Sequence, residues 1–256
     1  WSPFGRFVVA SRRDGLAALD LDGHVHWTLS RRDVRFPRWG GGRVDTRIAY
    51  LSGSRLRIVA GDGTEDRVVA GLPAAAPVAP AWRPGKGFLL AYADRGGRVL
   101  VVDPSGGVRF ETATRARPRK LEWSSDGRLL LVVAPRGLHV YDANGRLVAH
   151  DAPPSESHDL DASFVAGGRE VAILRRRGGE SDVVLLGSNR LIFRTSGELA
   201  QIVSSPDGRW LLASWPAADQ WVFVRIRGVR RLAADGDIAR QFGGFPTIAG
   251  WCCATS

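Results

Sequence analysis

The chain has 256 residues, 44% of them hydrophobic and 24% charged, which is ordinary for a globular protein with a large buried core. Its longest unbroken apolar runs, such as Leu129 to Ala134, are far shorter than the roughly 20 residues of a membrane-spanning helix, so we expect no such span in this sequence. The formal net charge is +10, and all but two of the 36 basic residues are arginines. This charge selects no particular polyanion, because net charge drives only non-specific attraction, and an arginine excess of this kind is also typical of a GC-rich genome.

Short apolar runs bounded by turn residues follow one another along the whole chain. In the first 30 residues, runs at 7–11, 16–20 and 24–29 are separated by Arg-Arg-Asp-Gly and Asp-Gly. The stretch 119–150 shows the unit most clearly, with four runs and with turns at Ser-Ser-Asp-Gly, Pro-Arg-Gly and Asn-Gly. Such residues supply the backbone conformations of tight turns, so the unit predicts four antiparallel strands.

The unit recurs at regular intervals. Aligned on the turn after the first strand, the copies begin at Trp1, Trp39, Trp82, Trp123, Phe164, Ser204 and Trp251, spaced 38 to 47 residues apart. This period is typical of a four-stranded propeller blade. We therefore predict one all-β domain over residues 1–256, a six-bladed β-propeller of four-stranded antiparallel blades. The predicted blades lie near 1–30, 34–70, 78–112, 119–150, 160–195 and 199–233. The repeated aromatic is expected to wedge neighbouring blades together, and a ring of ligand-stacking aromatics is the alternative.

The two ends of the sequence are expected to meet. Trp1 follows the place where a first strand belongs, and residues 245–253 resemble that strand. We predict that they enter the first blade as its inner strand and close the ring, and that truncation from Phe245 leaves a poorly soluble or unfolded protein. The two cysteines, Cys252 and Cys253, are adjacent, so reduced thiols, a strained vicinal disulfide and a bridge to another part of the protein all remain open.

The turns "SSDG" at Ser124 and "SPDG" at Ser205 resemble the repeat of the TolB-like six-bladed propellers. The other copies depart from the signature, with "SPFG", "GGG", "RPGKG" and "VAGG". The resemblance implies an extracytoplasmic bacterial protein, on the periplasmic or cell-surface side, whose propeller binds proteins or envelope components. Because the sequence contains no methionine, we expect a mature chain or part of a larger protein, in which only a segment upstream of Trp1 would contact a membrane.

Sequence motifs of catalysis are absent: the chain has no Gly-x-Ser-x-Gly, no His-Glu-x-x-His, no phosphate loop and no dinucleotide fingerprint. Four histidines fall on predicted strands: His24, His26, His139 and His150. His158 lies with Asp159 and Asp161 in the predicted connection between copies four and five. A solvated loop is the first interpretation there and a weak metal or acid–base site the second. We predict no catalytic residue, no metal and no cofactor.

In a propeller, the links between blades and the turns between second and third strands lie on one face. Many of the arginines in this sequence fall in these segments. The predicted binding face contains Arg12, Arg13, Arg31, Arg32, Arg95, Arg117, Arg136, His158, Asp159, Arg175, Arg176 and Arg177. A surface neutralised by salt bridges is the alternative, because acids map to the same face. We expect that neutralising residues 175–177 weakens binding of an anionic partner.

The sequence thus favours a non-enzymatic binding or scaffold propeller, the extracytoplasmic sensor or protein-interaction module of a larger bacterial envelope protein. Its expected partner is a protein or an anionic envelope polymer. The alternative is an accessory or catalytic propeller of a hydrolase or lyase acting on peptides or glycans, with His158 and its acidic neighbours near the channel. Nucleic acid is not expected, because the basic residues lack interleaved exposed aromatics. The oligomeric state is left open.

Overall fold

A computed structural model of the chain describes residues 1–12, 14–42, 44–85, 87–114, 116–228 and 231–251. Apart from a 3₁₀ turn at Pro216–Ala218 and the short helix α1 (Ile238–Phe242), the regular structure of these residues is β-strand. The predicted all-β class is confirmed. Within the same ranges, no helix has the length and apolarity that crossing a membrane requires.

The strands form sheets in which neighbours in sequence are neighbours in the sheet. The first sheet contains β1 (Phe7–Arg12), β2 (Gly15–Asp20) and β3 (Val25–Ser30). The second contains β4 (Val34–Gly41), β5 (Thr46–Ser52), β6 (Arg55–Ala60) and β7 (Arg67–Val68). The third contains β8 (Ala81–Trp82), β9 (Leu90–Ala93), β10 (Arg98–Val102) and β11 (Val108–Ala113).

Three more sheets follow in the same order. The fourth contains β12 (Lys120–Trp123), β13 (Leu129–Ala134), β14 (Gly137–Asp142) and β15 (Leu147–Asp151). The fifth contains β16 (Ser157–Val165), β17 (Glu170–Arg177), β18 (Glu180–Leu185) and β19 (Leu191–Thr195). The sixth contains β20 (Gln201–Ser204), β21 (Trp210–Trp215), β22 (Gln220–Arg225) and β23 (Leu232–Asp235).

The chain divides into two compact units. Unit one comprises residues 1–130 and 141–146, and unit two comprises 131–140 and 147–256, so the fourth sheet contributes to both. In unit one, Val9 and Leu16 of the first sheet pack on Ile48, Tyr50 and Val59 of the second. A similar apolar cluster joins the second and third sheets, and in unit two another joins the fifth and sixth. Each large side chain buried in this way stabilises the fold by roughly 1.5–3 kcal/mol.

The turn after the first strand owes its shape to a short hydrogen-bond network. In the fourth sheet, the Ser124 hydroxyl donates to Asp126 (2.6 Å) and accepts from the Leu129 amide (3.0 Å). In the sixth sheet, Ser205 donates to Asp207 (2.5 Å) and accepts from the amide of the residue that begins β21 (3.0 Å). The two intact copies of the Ser-x-Asp-Gly signature are therefore the same turn.

In two sheets, the tryptophan that ends the first strand reaches back into the preceding sheet. The Trp82 indole donates to the Arg38 carbonyl at 2.9 Å, and the Trp123 indole donates to the Ala81 carbonyl at 3.2 Å. A Cβ atom at Gly40 would lie 2.2 Å from the Trp82 ring, so only glycine admits this close approach. At these two positions the predicted wedging role is confirmed.

Among the described residues, the first sheet has three strands where each of the others has four. The Phe7 amide donates to the Ser2 hydroxyl at 3.1 Å, as in the signature turns, so β1 follows a first-strand turn and corresponds to a second strand. Over residues 245–251 no strand is present, so the predicted closing strand is not seen there. Cys252 and Cys253 lie outside the described residues, and with them the remainder of that prediction.

Two predicted loops are strands. His158, Asp159 and Asp161 were expected in a connection, but they lie in β16; residues 175–177 were expected in a turn, but they end β17, and Gly178 begins the turn. Register explains both differences, because Asp159 lies opposite Arg175 in the antiparallel pair. The ion pair between Asp159 and Arg175 compensates the charges that led to the prediction of solvated loops in both segments.

Candidate binding surface

Each sheet has an end at which the turn between its second and third strands meets the link to the next sheet; we call it the loop end. Backbone hydrogen bonds hold links and turns together there. In unit one, the Ala75 amide donates to the Ser54 carbonyl (2.8 Å), and the Arg95 amide donates to the Ala74 carbonyl (2.9 Å). The loop end is therefore a braced surface on which exposed side chains have fixed origins, as binding surfaces on rigid scaffolds do.

Exposed arginines without an ion pair to any described residue are concentrated at the loop ends. In unit one they are Arg12, Arg32, Arg55, Arg95, Arg117 and Arg119. In unit two they are Arg136 and Arg177. Within the described ranges, exposed arginines elsewhere that lack an ion pair are Arg6, Arg67, Arg169, Arg190 and Arg231. The loop ends thus carry the larger share of uncompensated positive charge.

At the opposite ends of the sheets, turn aspartates compensate some of the exposed arginines. The four pairs, with N···O distances of 3.3 to 3.8 Å, are Arg109–Asp103, Arg128–Asp126, Arg146–Asp142 and Arg209–Asp207. These exposed pairs contribute little to stability, but they reduce the local positive potential. Of the thirteen exposed arginines that lack an ion pair in the described ranges, eight lie at loop ends, and this excess gives the loop ends their positive character.

Five predicted binding-face arginines match this description: Arg12, Arg32, Arg95, Arg117 and Arg136 are exposed. Arg177 is exposed as well, while Arg176 pairs with Glu198 at 3.0 Å. Arg13 lies outside the described residues. Sequence reasoning missed Arg55, although this residue directly follows the turn between β5 and β6, and the rule that selected the others would have found it.

Arg175 does not belong to the exposed surface, contrary to the prediction. Its residue exposure is 9%, its Nε donates to Asp159 Oδ1 at 2.8 Å, and its Nη2 contacts Asp151. Burial opposes its charge, but the hydrogen bonds and charges of the two carboxylates outweigh burial and raise the pKa of Arg175. For Asp159, burial dominates over the arginine and raises the pKa of its carboxyl. This buried cluster braces the fifth sheet instead of meeting a ligand.

Arg31 is also held in an ion pair and is not available to a partner protein. Its Nε donates to Asp66 at 2.7 Å, and the same carboxylate accepts from Arg57 (2.6 Å) and from the Tyr50 hydroxyl (2.5 Å). The Asp66 side chain is 5% exposed, so the link after the first sheet is held to the second sheet by a buried charge network. Sequence reasoning missed this cluster, because its partners lie 9 to 35 residues from Asp66 and share no local motif.

His158 and Asp159 do not form an acid–base pair. As neighbours on β16 they point to opposite faces, with His158 exposed and Asp159 buried against Arg175. The arrangement that an enzymatic alternative requires is therefore not present at these residues.

Asp20, Asp22 and His24 place ligand-type atoms within 4.8 Å of one another. Asp20 Oδ1, however, already accepts from the amides of Asp22 (3.0 Å) and His24 (2.9 Å). Asp103 and Asp142 accept amides at the same two offsets in their own hairpins. Turn formation, repeated in three sheets, accounts for this cluster without a metal ion.

No protein-family model matches the sequence, and no curated protein matches it. Solved structures do resemble the fold. A chain of a mitotic checkpoint complex is 13% identical, with a TM-score of 0.70, over 92% of this chain and 74% of that chain. A chain of Kuenenia stuttgartiensis hydrazine synthase is 15% identical, with a TM-score of 0.70, over 88% and 75%. The β-propeller domain of Myceliophteria thermophila Cps50 (Swd1) is 19% identical, with a TM-score of 0.68, over 84% and 78%.

At such identities the likeness shows the fold alone, and that fold is a β-propeller. The four-stranded antiparallel sheets correspond to its blades. Because one propeller architecture hosts many functions, the surface chemistry must carry the functional argument.

Proposed function

We propose that this protein is a non-enzymatic interaction propeller that binds an acidic protein surface through the arginines of its loop ends. The observation that carries the proposal is the distribution of charge: eight exposed arginines without an ion pair lie at the loop ends and five lie elsewhere in the described ranges, while turn aspartates pair with four more at the opposite ends. The similarity to a chain of a mitotic checkpoint complex, which is an assembly, supports a binding role. Arginine suits this role, because its guanidinium binds carboxylates in a bidentate manner.

The test compares two triple variants of unit one and the fourth sheet with the same loss of charge. The loop-end variant carries Arg32→Gln, Arg95→Gln and Arg117→Gln; the control carries Arg109→Gln, Arg128→Gln and Arg146→Gln. The probe is poly-L-glutamate, measured by titration calorimetry at several salt concentrations. We expect the loop-end variant to bind at least tenfold more weakly, with a shallower salt dependence, and the control to change less than twofold. Equal weakening of both variants would show that net charge alone matters.

The same experiment also tests the alternative partner, an anionic envelope polymer. Polyphosphate serves as a carboxylate-free polyanion. Preference for poly-L-glutamate over polyphosphate at equal charge supports a protein partner. Tighter binding of polyphosphate, lost in the same loop-end variant, would transfer the proposal to an anionic polymer.

We further propose an extracytoplasmic bacterial role as the sensor or interaction module of a larger envelope protein, with the propeller belonging to the TolB-like group. Support comes from the identical Ser-Asp turns at Ser124 and Ser205 and from the related turn at Ser2. Cell fractionation with an antibody to the native protein tests the location. Recovery with cytosolic markers would contradict it.

We also propose that the blades form a closed six-bladed ring, completed by residues 245–251 in the first-strand place of the first sheet. The three-stranded first sheet supports this closure. So does a sequence spacing: Pro246 precedes Trp251 by five residues, as Pro77 precedes Trp82 and Pro118 precedes Trp123 at the ends of β8 and β12.

A further inference from the structure

Two histidines lie beside the second carboxylate oxygen of the turn aspartate in the first sheet. His24 Nδ1 is 3.3 Å from Asp20 Oδ2, and His26 Nε2 is 3.5 Å from the same atom. Formation of the turn uses the other oxygen, Oδ1, which accepts the amides of Asp22 and His24. The turn therefore accounts for the place of Asp20, but it does not account for two imidazoles at Oδ2.

Two other hairpins of unit one show what this oxygen contacts elsewhere. In the third sheet, Asp103 Oδ2 pairs with Arg109, six residues on, at 3.4 Å. In the fourth sheet, Asp142 Oδ2 pairs with Arg146, four residues on, at 3.3 Å. In the first sheet both of these positions carry histidine. The difference is chemical, because a guanidinium has no lone pair to donate, whereas a neutral imidazole is a common metal ligand.

The backbone of the first sheet fixes the direction of His26. The register of β3 against β2 shifts at this residue, which is the extra residue of a β-bulge. A bulge re-aims the side chain of its extra residue. The third sheet has the same bulge at Arg109, whose side chain reaches the turn aspartate. The His26 ring also packs edge-on against Phe7, with 4.7 Å between the ring centroids. His26 is therefore held beside Asp20 by local structure.

The distances at Asp20 Oδ2 match those around a bound metal ion. Zinc lies about 2.0–2.2 Å from imidazole nitrogens and carboxylate oxygens, so two ligand atoms of one tetrahedral ion are about 3.4 Å apart. The two imidazole nitrogens lie 3.3 and 3.5 Å from Oδ2. The side chain of His24 is 80% exposed and that of His26 is 47% exposed, so an ion in solvent reaches both, and His24 can adjust to it.

We infer that Asp20, His24 and His26 bind a divalent transition-metal ion of the zinc type. Two imidazoles and one carboxylate suit such an ion, whereas Ca²⁺ and Mg²⁺ prefer oxygen ligands throughout. The carboxylate of Asp22, which makes no ion pair with a described residue, brings a second negative charge within 4.8 Å of this group. The site is independent of the proposed binding surface, because its hairpin lies at the end of the first sheet opposite the loop end.

The test is isothermal titration calorimetry with ZnCl₂ in a buffer free of phosphate and chelators. Every protein carries Cys252→Ser and Cys253→Ser, because thiolates are themselves strong zinc ligands. We expect the parent in this background to bind one zinc ion per chain, and a hundredfold excess of Mg²⁺ or Ca²⁺ to leave the titration unchanged. Displacement of zinc by either ion would overturn a site built on imidazoles.

Three variants locate the zinc ion. His26→Arg places at the bulge the residue that the third sheet has there, so the contact with Asp20 is kept while a metal ligand is lost. We expect it to bind zinc at least a hundredfold more weakly. His24→Gln removes the other imidazole at a position that is 80% exposed, where little packing can be lost, and should weaken binding at least tenfold. The matched control, His158→Gln, removes an exposed histidine of unit two and should change the affinity less than twofold.

Thermal unfolding of the same proteins is the second readout, because an ion that binds only the folded state raises the melting temperature. Zinc should raise it in the parent and in His158→Gln, but not in His26→Arg. If His26→Arg does not fold, His24→Gln decides. Unchanged zinc affinity in both cluster variants, or an equal loss in His158→Gln, would overturn the site. A loss in only one of the two cluster variants would overturn the binding of one ion by both histidines.

Discussion

Replacing Asp66 by Asn should reveal how strongly one buried carboxylate holds the second sheet to the link that precedes it. The substitution keeps the volume of the side chain and removes its charge. Asp66 is 5% exposed, while its partners Arg57 and Arg31 are 15% and 39% exposed. The guanidinium of Arg57 would lose its counter-charge in a place that water barely reaches, whereas Arg31 can turn to solvent.

The magnitude follows from this difference in exposure. Breaking a buried ion pair by removing one partner costs about 3–5 kcal/mol, and an exposed pair contributes roughly 0–1 kcal/mol. Only the Arg57 side of the network is buried, so we expect a loss of about 3 kcal/mol, at the lower end of the buried range. For a chain of this size that loss lowers the melting temperature by roughly 6–12 °C.

The effect should depend on pH in a defined direction. Burial opposes ionisation of Asp66, but hydrogen bonds from Arg57, Tyr50 and Arg31 outweigh it and hold the pKa of this carboxyl below its usual value. The unfolded chain therefore binds the proton more readily, and the stabilisation is complete above the unfolded pKa of about 4 and is lost as pH falls through the lower folded pKa. The gap between parent and variant should be constant near neutrality and should narrow in acid.

Urea denaturation at several pH values measures this gap. The matched control is Asp33→Asn in the preceding link, because Asp33 is exposed and lies 3.9 Å from Arg35. We expect the control to change stability by less than about 0.5 kcal/mol, as an isolated surface charge does. A variant at Asp66 that is as stable as the parent, or whose deficit is the same at pH 3 and pH 7, would refute the reasoning.

Three further outcomes are expected. Gly208→Ala should lose more stability than Gly167→Ala, because both have a positive φ but only at Gly208 would a new Cβ meet backbone, 2.4 Å from the Gly167 nitrogen; equal melting temperatures would contradict this. Arg175→Met should cost about 3–5 kcal/mol, since it leaves two carboxylates without their cation, whereas Asp159→Asn should cost less, because Arg175 keeps Asp151 as a partner; urea midpoints decide the order. Burial and then Asp66 raise the pKa of Tyr50 to about 12, so Tyr50→Phe should remove a phenolate transition near that pH in an alkaline absorbance titration.

Arginines 12, 32, 95, 117 and 136 could be assigned to the loop ends from sequence because their placement depends on turn chemistry nearby. Arg31 and Arg175 could not be assigned correctly in the same way. Their partners Asp66 and Asp159 are 35 and 16 residues distant, and sheet register alone brings each carboxylate within hydrogen-bond distance. An unpaired arginine and a buried, paired one have the same sequence signature.

The sequence by itself determined the features that arise from contacts a few residues apart: the all-β class, the period of the repeat, and the turns at Ser124 and Ser205, where a hydroxyl bonds an aspartate two residues on. Backbone sterics and local side-chain hydrogen bonds are sufficient for these. Only the tertiary structure decided which charges are compensated and which donors, such as Trp39 Nε1, are left without a partner among the described residues. Those outcomes depend on sheets that stack strands far apart in sequence, and such pairings leave no local signal.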